Sequence, residues 1–403
     1  MAKVFPFKSI VPNQAYIGKV STRSINTYTK KQLKKKHDNP LSFVHVVQPD
    51  YNEDDYTSAN TPERFTKVRN KFQEFFDNGY FVQEQNPVIY VYQQRFNDRS
   101  YTGIIAGASA KDYENGIIKK HEDTLEKREE IFTEYLNICG FNAEPVLLAH
   151  PSHDGLKEII RKTIENKPNI YLQSSDGTLH NLWKIDDESI IANIQVCFEE
   201  IPSIYIADGH HRSASSHRLY KQTGEDFILS YFISENEVDI YDFNRVVKNL
   251  NGLEKDQFLE KLSDNFTIKR ENRTLEKPVK KGDFSIYIDN EFYTLSFKKD
   301  YTTFPTQKQL DAQILTDYIL SPILGIHNLK NDDNIDFISG KHGLTTLKKS
   351  IDSGNFRLGV CLFPVSYEEL TKIADNQLSM PPKSTWIEPK LRTGLTIYKF
   401  NSK

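Results

Sequence analysis

The chain has 403 residues, too many for one ordinary hydrophobic core, so we expect two or three domains. Hydrophobic residues make up 38% and charged residues 27% of the sequence, which is typical of a folded protein and excludes a largely disordered one. Lysine and arginine (52) nearly balance aspartate and glutamate (55), leaving a net charge of −3. Proteins that bind DNA mainly through its phosphates usually carry a basic excess, so the sequence disfavours a nucleic-acid partner.

The three cysteines, Cys139, Cys197 and Cys361, are widely separated and form no C-x-x-C pair. They indicate neither a zinc knuckle nor a disulfide framework, and we expect buried free thiols in a reducing compartment. The N-terminal sequence lacks the apolar core of a secretion signal, and no run of ~18 apolar residues occurs. We therefore expect a cytoplasmic protein without a membrane partner.

The first part of the chain alternates between predicted strands and helices. Phe65, Val68, Phe72 and Phe75 recur at helical spacing, which predicts an amphipathic helix. Apolar and polar residues alternate on both sides of the turn at 97–100, which predicts two strands. The predicted strands are 4–10, 42–47, 88–94, 101–109, 145–149, 178–184, 204–207 and 227–234, and the predicted helices are 62–78, 123–137, 155–166, 187–198 and 213–222.

The sequence changes character near 236–239, which predicts a domain boundary. The stretch 244–251 is interpreted as a connector. Strands at 266–269, 284–288 and 292–297 predict a small antiparallel unit, joined by the strands 356–363 and 395–400 and the helices 254–264, 309–318, 343–353 and 366–376. The sequence therefore predicts a mixed α/β (α+β) fold with the domains 1–237 and 238–403.

A glycine-containing polar turn, Asp208–Arg212, follows the apolar strand 204–207 directly and leads into a predicted helix. The free N–H groups of a first helical turn and the helix dipole both favour negative charge, so this turn predicts an anion site. Arg212 can grip phosphate oxygens in a fork. We assign Gly209, Arg212 and Ser213 to binding a phosphate or a nucleotide.

His210 and His211 can donate hydrogen bonds or carry charge near neutral pH, and we assign both to catalysis. Asp208 suits a metal, an orienting contact to a histidine or a proton transfer, so it is a candidate catalytic residue and metal ligand. Structural histidines are the alternative. A zinc site is disfavoured because adjacent side chains diverge.

A second charged cluster is Lys119-Lys120-His121-Glu122. We assign Lys119, Lys120 and His121 to phosphate binding, and Glu122 to activating a hydroxyl nucleophile. The alternative is a surface turn that caps the following charged helix.

Near the C-terminus, two prolines stiffen the approach to Lys383-Ser384-Thr385, and Lys390 follows shortly after. We assign Lys383, Ser384 and Thr385 to a docking loop that brings Lys383 to the phosphate site. The alternative is a stiff packing segment that seals the two domains together.

The stretch Ile206–Arg212 resembles the phosphate-binding motif of the ParB-like fold, which includes the nucleotide-binding domain of ParB, sulfiredoxin and the free-serine kinases. Over nearly its full length the chain more closely resembles a bacterial and archaeal family catalogued as domain of unknown function one thousand and fifteen. The segments that carry this resemblance are 5–8, 39–46, 113–122, 380–385 and 389–395.

The resemblance implies a phosphotransferase-type site. In serine kinases of the ParB-like fold, an Asp-Gly-His-His-Arg-like turn holds the nucleotide phosphates and a separate glutamate activates the serine hydroxyl. It also implies a ParB-like or serine-kinase-like N-terminal domain followed by an α+β domain. The implied cofactors are ATP or ADP and Mg²⁺, the latter at Asp208, and the implied substrate is L-serine or O-phosphoserine.

One segment departs from the family pattern. Val20–Asn26 stands where the family usually has an Ala-Pro-Pro-Tyr-Asp-like stretch. If that stretch carries a catalytic acid, this chain lacks it, or Arg23 and Asn26 make a different contact.

Three functions remain open at this point: a small-molecule kinase, a phosphoserine phosphatase at the same site, and a non-enzymatic ParB-like nucleotide switch that binds DNA. The sequence shows no clear helix-turn-helix pattern, which disfavours the switch. It also has no GxxxxGK[ST] loop, which excludes an ordinary P-loop kinase.

Overall fold

The computed structural model describes residues 1–51, 57–271 and 276–400. The chain divides into two compact units, unit 1 with Met1–Val238 and the chain from Pro389 onward, and unit 2 with Asp239–Glu388. The predicted domains 1–237 and 238–403 differ from this division in the chain from Pro389 onward, whose short strands pair with strands of unit 1.

Unit 1 is built on a mixed nine-stranded sheet in the order β10-β11-β5-β6-β13-β9-β12-β7, with β1 paired to β6. The pairs β13–β9 and β12–β7 are parallel and the other pairs are antiparallel. The strands of unit 1 are β1 (Val4–Phe5), β2 (Ile10–Pro12), β3 (Thr22–Arg23), β4 (Phe81–Gln83), β5 (Ile89–Phe96), β6 (Arg99–Ala108), β7 (Ile118–Lys119), β8 (Phe141–Asn142), β9 (Val146–His150), β10 (Ile170–Gln173), β11 (Leu179–Ile185), β12 (Ile204–Asp208), β13 (Ile228–Ser234), β22 (Arg392–Thr393) and β23 (Tyr398–Lys399).

The helices of unit 1 cover the sheet and form a second core. They are α1 (Ile17–Val20), α2 (Lys30–His37), α3 (Val44–Val47), α4 (Pro62–Asp77), α5 (Ala110–Glu114), α6 (Glu126–Cys139), α7 (Asp154–Ile164), α8 (Glu188–Glu199) and α9 (His210–Thr223). Apolar side chains from alternate strand positions pack with Leu156 of α7 and with Ile194 and Phe198 of α8 in the main core. Phe65, Val68, Phe72 and Phe75 of α4, predicted as the apolar face of a helix, form the second core with residues such as Phe43 and Phe141.

Unit 2 contains a six-stranded antiparallel sheet in the order β16-β18-β17-β20-β15-β19, and β14 pairs with β21 in a separate two-stranded sheet. Its strands are β14 (Asp239–Tyr241), β15 (Phe243–Val247), β16 (Phe266–Glu271), β17 (Asp283–Ile288), β18 (Glu291–Phe297), β19 (Ile335–Ser339), β20 (Leu358–Leu362) and β21 (Trp386–Glu388), and its α-helices are α10 (Lys255–Ser263), α11 (Asp311–Leu315), α12 (Gly343–Asp352) and α13 (Tyr367–Asp375). The mixed α/β class predicted from the sequence is confirmed.

Two sequence predictions of secondary structure are wrong. The predicted strand 42–47 contains the short helix α3, in which Val44 and Val46 are both fully buried. The predicted connector 244–251 contains most of β15, whose five residues are all buried between β20 and β19. In β15 complete burial removes the polar–apolar alternation on which the sequence prediction depends, whereas in α3 tertiary packing overrides the strand character of the residues.

Among the helices of the described residues, none combines the length and the apolar character that a membrane crossing requires.

Candidate functional site

The turn predicted from the sequence forms a sharp corner between β12 and α9. The strand ends at Asp208, Gly209 has φ 102° and ψ 32°, and the helix begins at His210. This backbone conformation favours glycine, and a Cβ atom at Gly209 would lie only 3.1 Å from the guanidinium of Arg212. The N-cap residue is this glycine, which offers no side-chain cap to the N-terminus of α9. The positive end of the helix dipole therefore lies at the corner and favours an anion there.

A β-bulge immediately before the corner sets the direction of the Asp208 side chain. Tyr205 and Ile206 pair with Ala149 and Leu148 of β9, but Asp208 rather than the intervening residue pairs with Leu147. Such a bulge adds a residue to one strand, bends it and re-aims the side chain that follows.

Arg212 is held at the corner by two carboxylates and by the backbone. Its Nη1 lies 3.1 Å from Oε1 of Glu144 and donates to the carbonyl oxygens of Glu144 (3.2 Å) and Pro145. Its Nη2 lies 3.3 Å from Oδ2 of Asp208. A planar guanidinium fixed on several sides presents a defined edge to a ligand and loses little side-chain entropy on binding.

Asp208 also meets Lys390, whose Nζ lies 3.4 Å from Oδ1 of Asp208. Burial alone would raise the pKa of Asp208, but the positive charges of Lys390 and Arg212 outweigh it and hold this pKa below its ordinary value. The side chain is 40% exposed. The corner therefore carries an ionised carboxylate with access to solvent.

His210 is buried and has a defined tautomer. Its Nε2 accepts a hydrogen bond from the backbone N–H of His121 (3.4 Å), so the neutral ring carries its proton on Nδ1. Nδ1 lies 3.6 Å from Oε2 of Glu122. Burial lowers the pKa of His210 to about 4, against the opposing charge of Asp208. His210 is therefore a neutral donor that faces the half-exposed Glu122 carboxylate.

The structure brings most of the predicted side chains of unit 1 to this corner, in different settings. His121 is enclosed, and its ring packs edge-to-face on His210 with centroids 4.4 Å apart. Burial, followed by the effect of His210, lowers the pKa of His121 to about 3, so this ring is neutral. Ser213 is buried, and its hydroxyl donates to the carbonyl oxygen of Gly209 (3.3 Å).

The predicted lysines lie on β7 and just after it. Lys119 is the parallel partner of Tyr205 in β12, and its Nζ is 5.9 Å from the centroid of the Tyr205 ring. Lys120 is exposed, and its charge contributes to the lowered pKa of His210. His211 is half-buried at the second position of α9.

Lys383, Ser384 and Thr385 belong to unit 2, whereas the corner belongs to unit 1. The Nζ atom of Lys383 lies 5.2 Å from the centroid of the Phe243 ring. The Ser384 hydroxyl donates to the carbonyl oxygen of Pro381 (2.7 Å), and Thr385 is buried.

Three residues that complete the corner were not predicted from the sequence: Glu144, Lys390 and Thr393. The Thr393 hydroxyl donates to Oε2 of Glu144 (2.8 Å), whose other oxygen faces Arg212. Of these three residues only Lys390 had a signal in the sequence, namely a basic residue next to a proline. Glu144 and Thr393 carry none, because they reach the corner only through tertiary folding.

A cavity of about 430 Å³ lies elsewhere in unit 1, lined by residues of α4, the last turns of α6 and α9, and the chain near Lys399. No residue of the corner lines it. Among the described residues, no three histidine, cysteine, aspartate or glutamate side chains converge as metal ligands.

Residues 4–313 match the sequence profile of a family described as a protein of unknown function (DUF1015). The chain belongs to this family. The resemblance identified from the sequence is therefore confirmed, and Lys390 and Thr393 of the corner lie outside the matched segment. The family description assigns no activity.

Several solved structures are similar to the chain. A free serine kinase in complex with AMP is 14% identical, covers 70% of this chain and 87% of its own, and has a TM-score of 0.37. A conserved hypothetical protein from Pyrococcus furiosus is 14% identical, with coverages of 70% and 90% and a TM-score of 0.35. A C-terminally truncated SbnI from Staphylococcus aureus is 12% identical, with coverages of 70% and 82% and a TM-score of 0.38.

No curated protein sequence is significantly similar to the chain. Because the solved structures are this distant, a function has to be argued from the geometry of the corner.

Proposed function

We propose that the protein is a phosphotransferase that moves the terminal phosphoryl group of ATP or ADP to the hydroxyl group of a small molecule, with L-serine as the first candidate acceptor. The observation that carries the proposal is the uncapped N-terminus of α9 at the Asp208–Arg212 corner, with a fixed guanidinium beside it. Phosphoryl transfer depends mostly on positioning and charge neutralisation, and this corner supplies both.

The phosphate end of the proposed site is the first turn of α9. Backbone N–H groups at a helix N-terminus bind phosphate oxygens, and Arg212 adds a charged fork beside them. Lys119, Lys120 and Lys390 add positive charge from neighbouring segments. These lysines offset the carboxylates of the corner and favour a polyanion.

Glu122 is the proposed base. In the transfer step, the acceptor oxygen forms a bond to the terminal phosphorus as the bond to the leaving phosphate oxygen breaks, and the hydroxyl proton passes to the Glu122 carboxylate. His210 stays neutral and directs its Nδ1–H toward Glu122, so it orients the carboxylate without neutralising it. Asp208 and His211 complete the proposed catalytic set.

A Mg²⁺ ion fits this corner only together with the phosphate groups of a bound nucleotide. Mg²⁺ is commonly held by one or two carboxylates together with phosphate oxygens. Asp208 is ionised and solvent-accessible, so it would be the protein ligand. Bound there, the ion would neutralise charge on the phosphates.

The proposal is tested by incubating the purified protein with ATP or ADP, Mg²⁺ and L-serine, and measuring O-phosphoserine by mass spectrometry. Arg212→Met should lose the activity. Arg218→Met is the matched control, because Arg218 lies on the same helix but pairs with Glu130 away from the corner (2.8 Å). Absence of product with both nucleotides would contradict a serine kinase. Release of phosphate from O-phosphoserine without nucleotide would identify the phosphatase instead.

A further inference from the structure

The segment 389–394 runs along the corner and extends beyond it. The Lys390 side chain meets Asp208 (3.4 Å), and the Thr393 hydroxyl donates to Glu144 (2.8 Å). Both contacts place this C-terminal segment against the proposed phosphate site. Other residues of the same segment are therefore candidates for contacts to an acceptor bound there.

Arg392, in the same segment, is the direct cross-strand partner of Arg23. The two-stranded sheet β22–β3 pairs Arg392 with Arg23 and Thr393 with Thr22. Directly opposed residues of an antiparallel pair lie on the same face with Cβ atoms about 5 Å apart, and like charges in this position repel. Two arginines are thus held together without an evident structural benefit.

Neither guanidinium has a carboxylate partner. Arg392 is only 7% exposed, its Nε donates to the hydroxyl of Ser21 (3.0 Å), and its Nη2 donates to the Ser21 carbonyl oxygen. The Arg23 guanidinium, which is half-buried, lies 4.6 Å from the centroid of the Tyr28 ring. Among the described residues, no carboxylate oxygen lies within 4.0 Å of either side chain, and Nη1 of Arg392 has no hydrogen-bond partner.

Two of the groups near Arg392 are neutral. Tyr92 and His180 form a buried hydrogen bond (Oη to Nδ1, 2.8 Å), and burial followed by the charge of Arg392 lowers the pKa of His180 to about 3. Asp176 is the acidic group whose charge acts on both arginines, but its carboxylate accepts hydrogen bonds from Ser174 and from the backbone of Thr178. The Asp176 carboxylate is therefore engaged within its own turn and pairs directly with neither guanidinium.

We propose that the Arg23–Arg392 pair binds the carboxylate of the acceptor, so that the substrate class of the proposed phosphotransferase is the small hydroxy acids, amino acids with a hydroxyl group included. This inference rests on the proposed function. The guanidinium fork matches the two oxygens of a carboxylate. The positive charge of the pair is not neutralised by a direct carboxylate partner among the described residues. The inference also assigns a ligand contact to Arg23, which lies in the segment Val20–Asn26 that differs from the family pattern.

The position of the pair favours the acceptor over the nucleotide. Arg392 follows Lys390 by two residues, so their Cα atoms are at most about 7 Å apart. The pair therefore lies two residues along the same segment from a side chain that contacts the corner. The nucleotide phosphates already have the N-terminus of α9 and Arg212.

The test is calorimetric titration of the full chain with L-serine, D-glycerate and ethanolamine, each with and without ADP and Mg²⁺. The variants are Arg23→Met and Arg392→Lys, and Arg161→Met is the control because Arg161 lies on the exposed surface of α7. Arg23 is half-buried, so its substitution keeps the test valid if the buried Arg392 variant fails to fold. ADP affinity is measured for every variant.

We expect L-serine and D-glycerate to bind the wild type and Arg161→Met equally, and to bind Arg23→Met roughly 10- to 100-fold more weakly, as for loss of a charged hydrogen bond. Ethanolamine, which lacks the carboxylate, should not distinguish the proteins. Equal affinity of the carboxylates for the wild type and both variants, no carboxylate binding by the wild type, or a loss confined to ADP would overturn the inference. Carboxylate binding that depends on the arginines, without any phosphorylated product, would instead contradict the proposed function and leave the inference standing.

Discussion

Two arginines of this protein meet opposite environments. Arg212 in unit 1 faces the carboxylates of Glu144 and Asp208 at a corner that solvent reaches. Arg245 in unit 2 has no exposed surface, donates from Nη1 to the carbonyl oxygen of Phe243, and has no hydrogen-bond partner at Nε or Nη2. A paired, accessible cation can exchange its partner for a ligand, whereas an enclosed unpaired cation mainly reduces stability. Charge alone therefore does not identify a functional site.

The first prediction sharpens this comparison and concerns how stability depends on pH because of a buried carboxyl group in unit 2. Burial raises the pKa of Asp311 to about 7, although the backbone N–H of Gly282 donates to its carboxylate and opposes the rise. The folded chain therefore keeps this proton to a higher pH than the unfolded chain, and stability is lost as the pH rises from about 4 to about 7. The loss is on the order of 4 kcal/mol.

Replacing Asp311 with Asn should remove this loss. We expect the unfolding free energy of Asp311→Asn relative to the wild type to increase across that pH window in urea titrations. Asp264→Asn, at an exposed position on the same unit, should show no such trend. A difference between Asp311→Asn and the wild type that is constant from pH 4 to 8 would contradict the enclosed-charge account.

The second prediction concerns the paired cation. Arg212→Met should weaken ADP binding by roughly 100-fold, since it removes the charged hydrogen bonds expected to reach the phosphates. Titration calorimetry gives the dissociation constants, with Arg218→Met as the control on the same helix. If both variants bind ADP as the wild type does, the corner is not a phosphate site.

The third prediction concerns the enclosed cation. Arg245→Met should leave the stability unchanged or raise it by about 1–4 kcal/mol, because an apolar side chain avoids the cost of burying an unpaired charge. Urea denaturation of this variant is compared with that of Arg270→Met, whose side chain is mostly exposed and which should change stability by less than about 0.5 kcal/mol. Strong destabilisation by Arg245→Met would show that the buried guanidinium is structurally required.

The smallest expected effect lies at the edge of the corner. Thr393→Val keeps the side-chain shape but removes the hydrogen bond to Glu144, which helps to fix Arg212. A loss of about 1 kcal/mol corresponds to roughly fivefold weaker ADP binding. Thr66→Val, which removes a hydroxyl from α4, is the control. Unchanged ADP affinity in Thr393→Val would show that Arg212 does not depend on this support.

The corner could be predicted from the sequence because its parts are consecutive. An apolar strand, a glycine and a helix start lie within Ile204–Ser213, and each leaves a local signal. Glu144, Lys390 and Thr393 could not be assigned in the same way. They reach the site from segments far along the chain, and their proximity depends on the order of strands in the sheet.

Local sequence patterns also gave wrong secondary-structure predictions in two buried segments. Phe43, Val44 and Val46 have the aromatic and β-branched character of a strand, yet tertiary packing places Val44 and Val46 in a short helix with all three side chains enclosed. In β15 the polar residues Asn244 and Arg245 suggested a connector, although both are buried within the sheet. A sequence pattern reports the average environment of a residue type, and these residues are exceptions to it.

The most direct measurement of the central claim is a crystal structure of the full chain with ADP and Mg²⁺. We expect phosphate oxygens within hydrogen-bond distance of the backbone N–H groups of His210 to Arg212, with the Arg212 guanidinium turned toward them. A nucleotide bound elsewhere, with the first turn of α9 and Arg212 making no contact to its phosphates, would contradict the account.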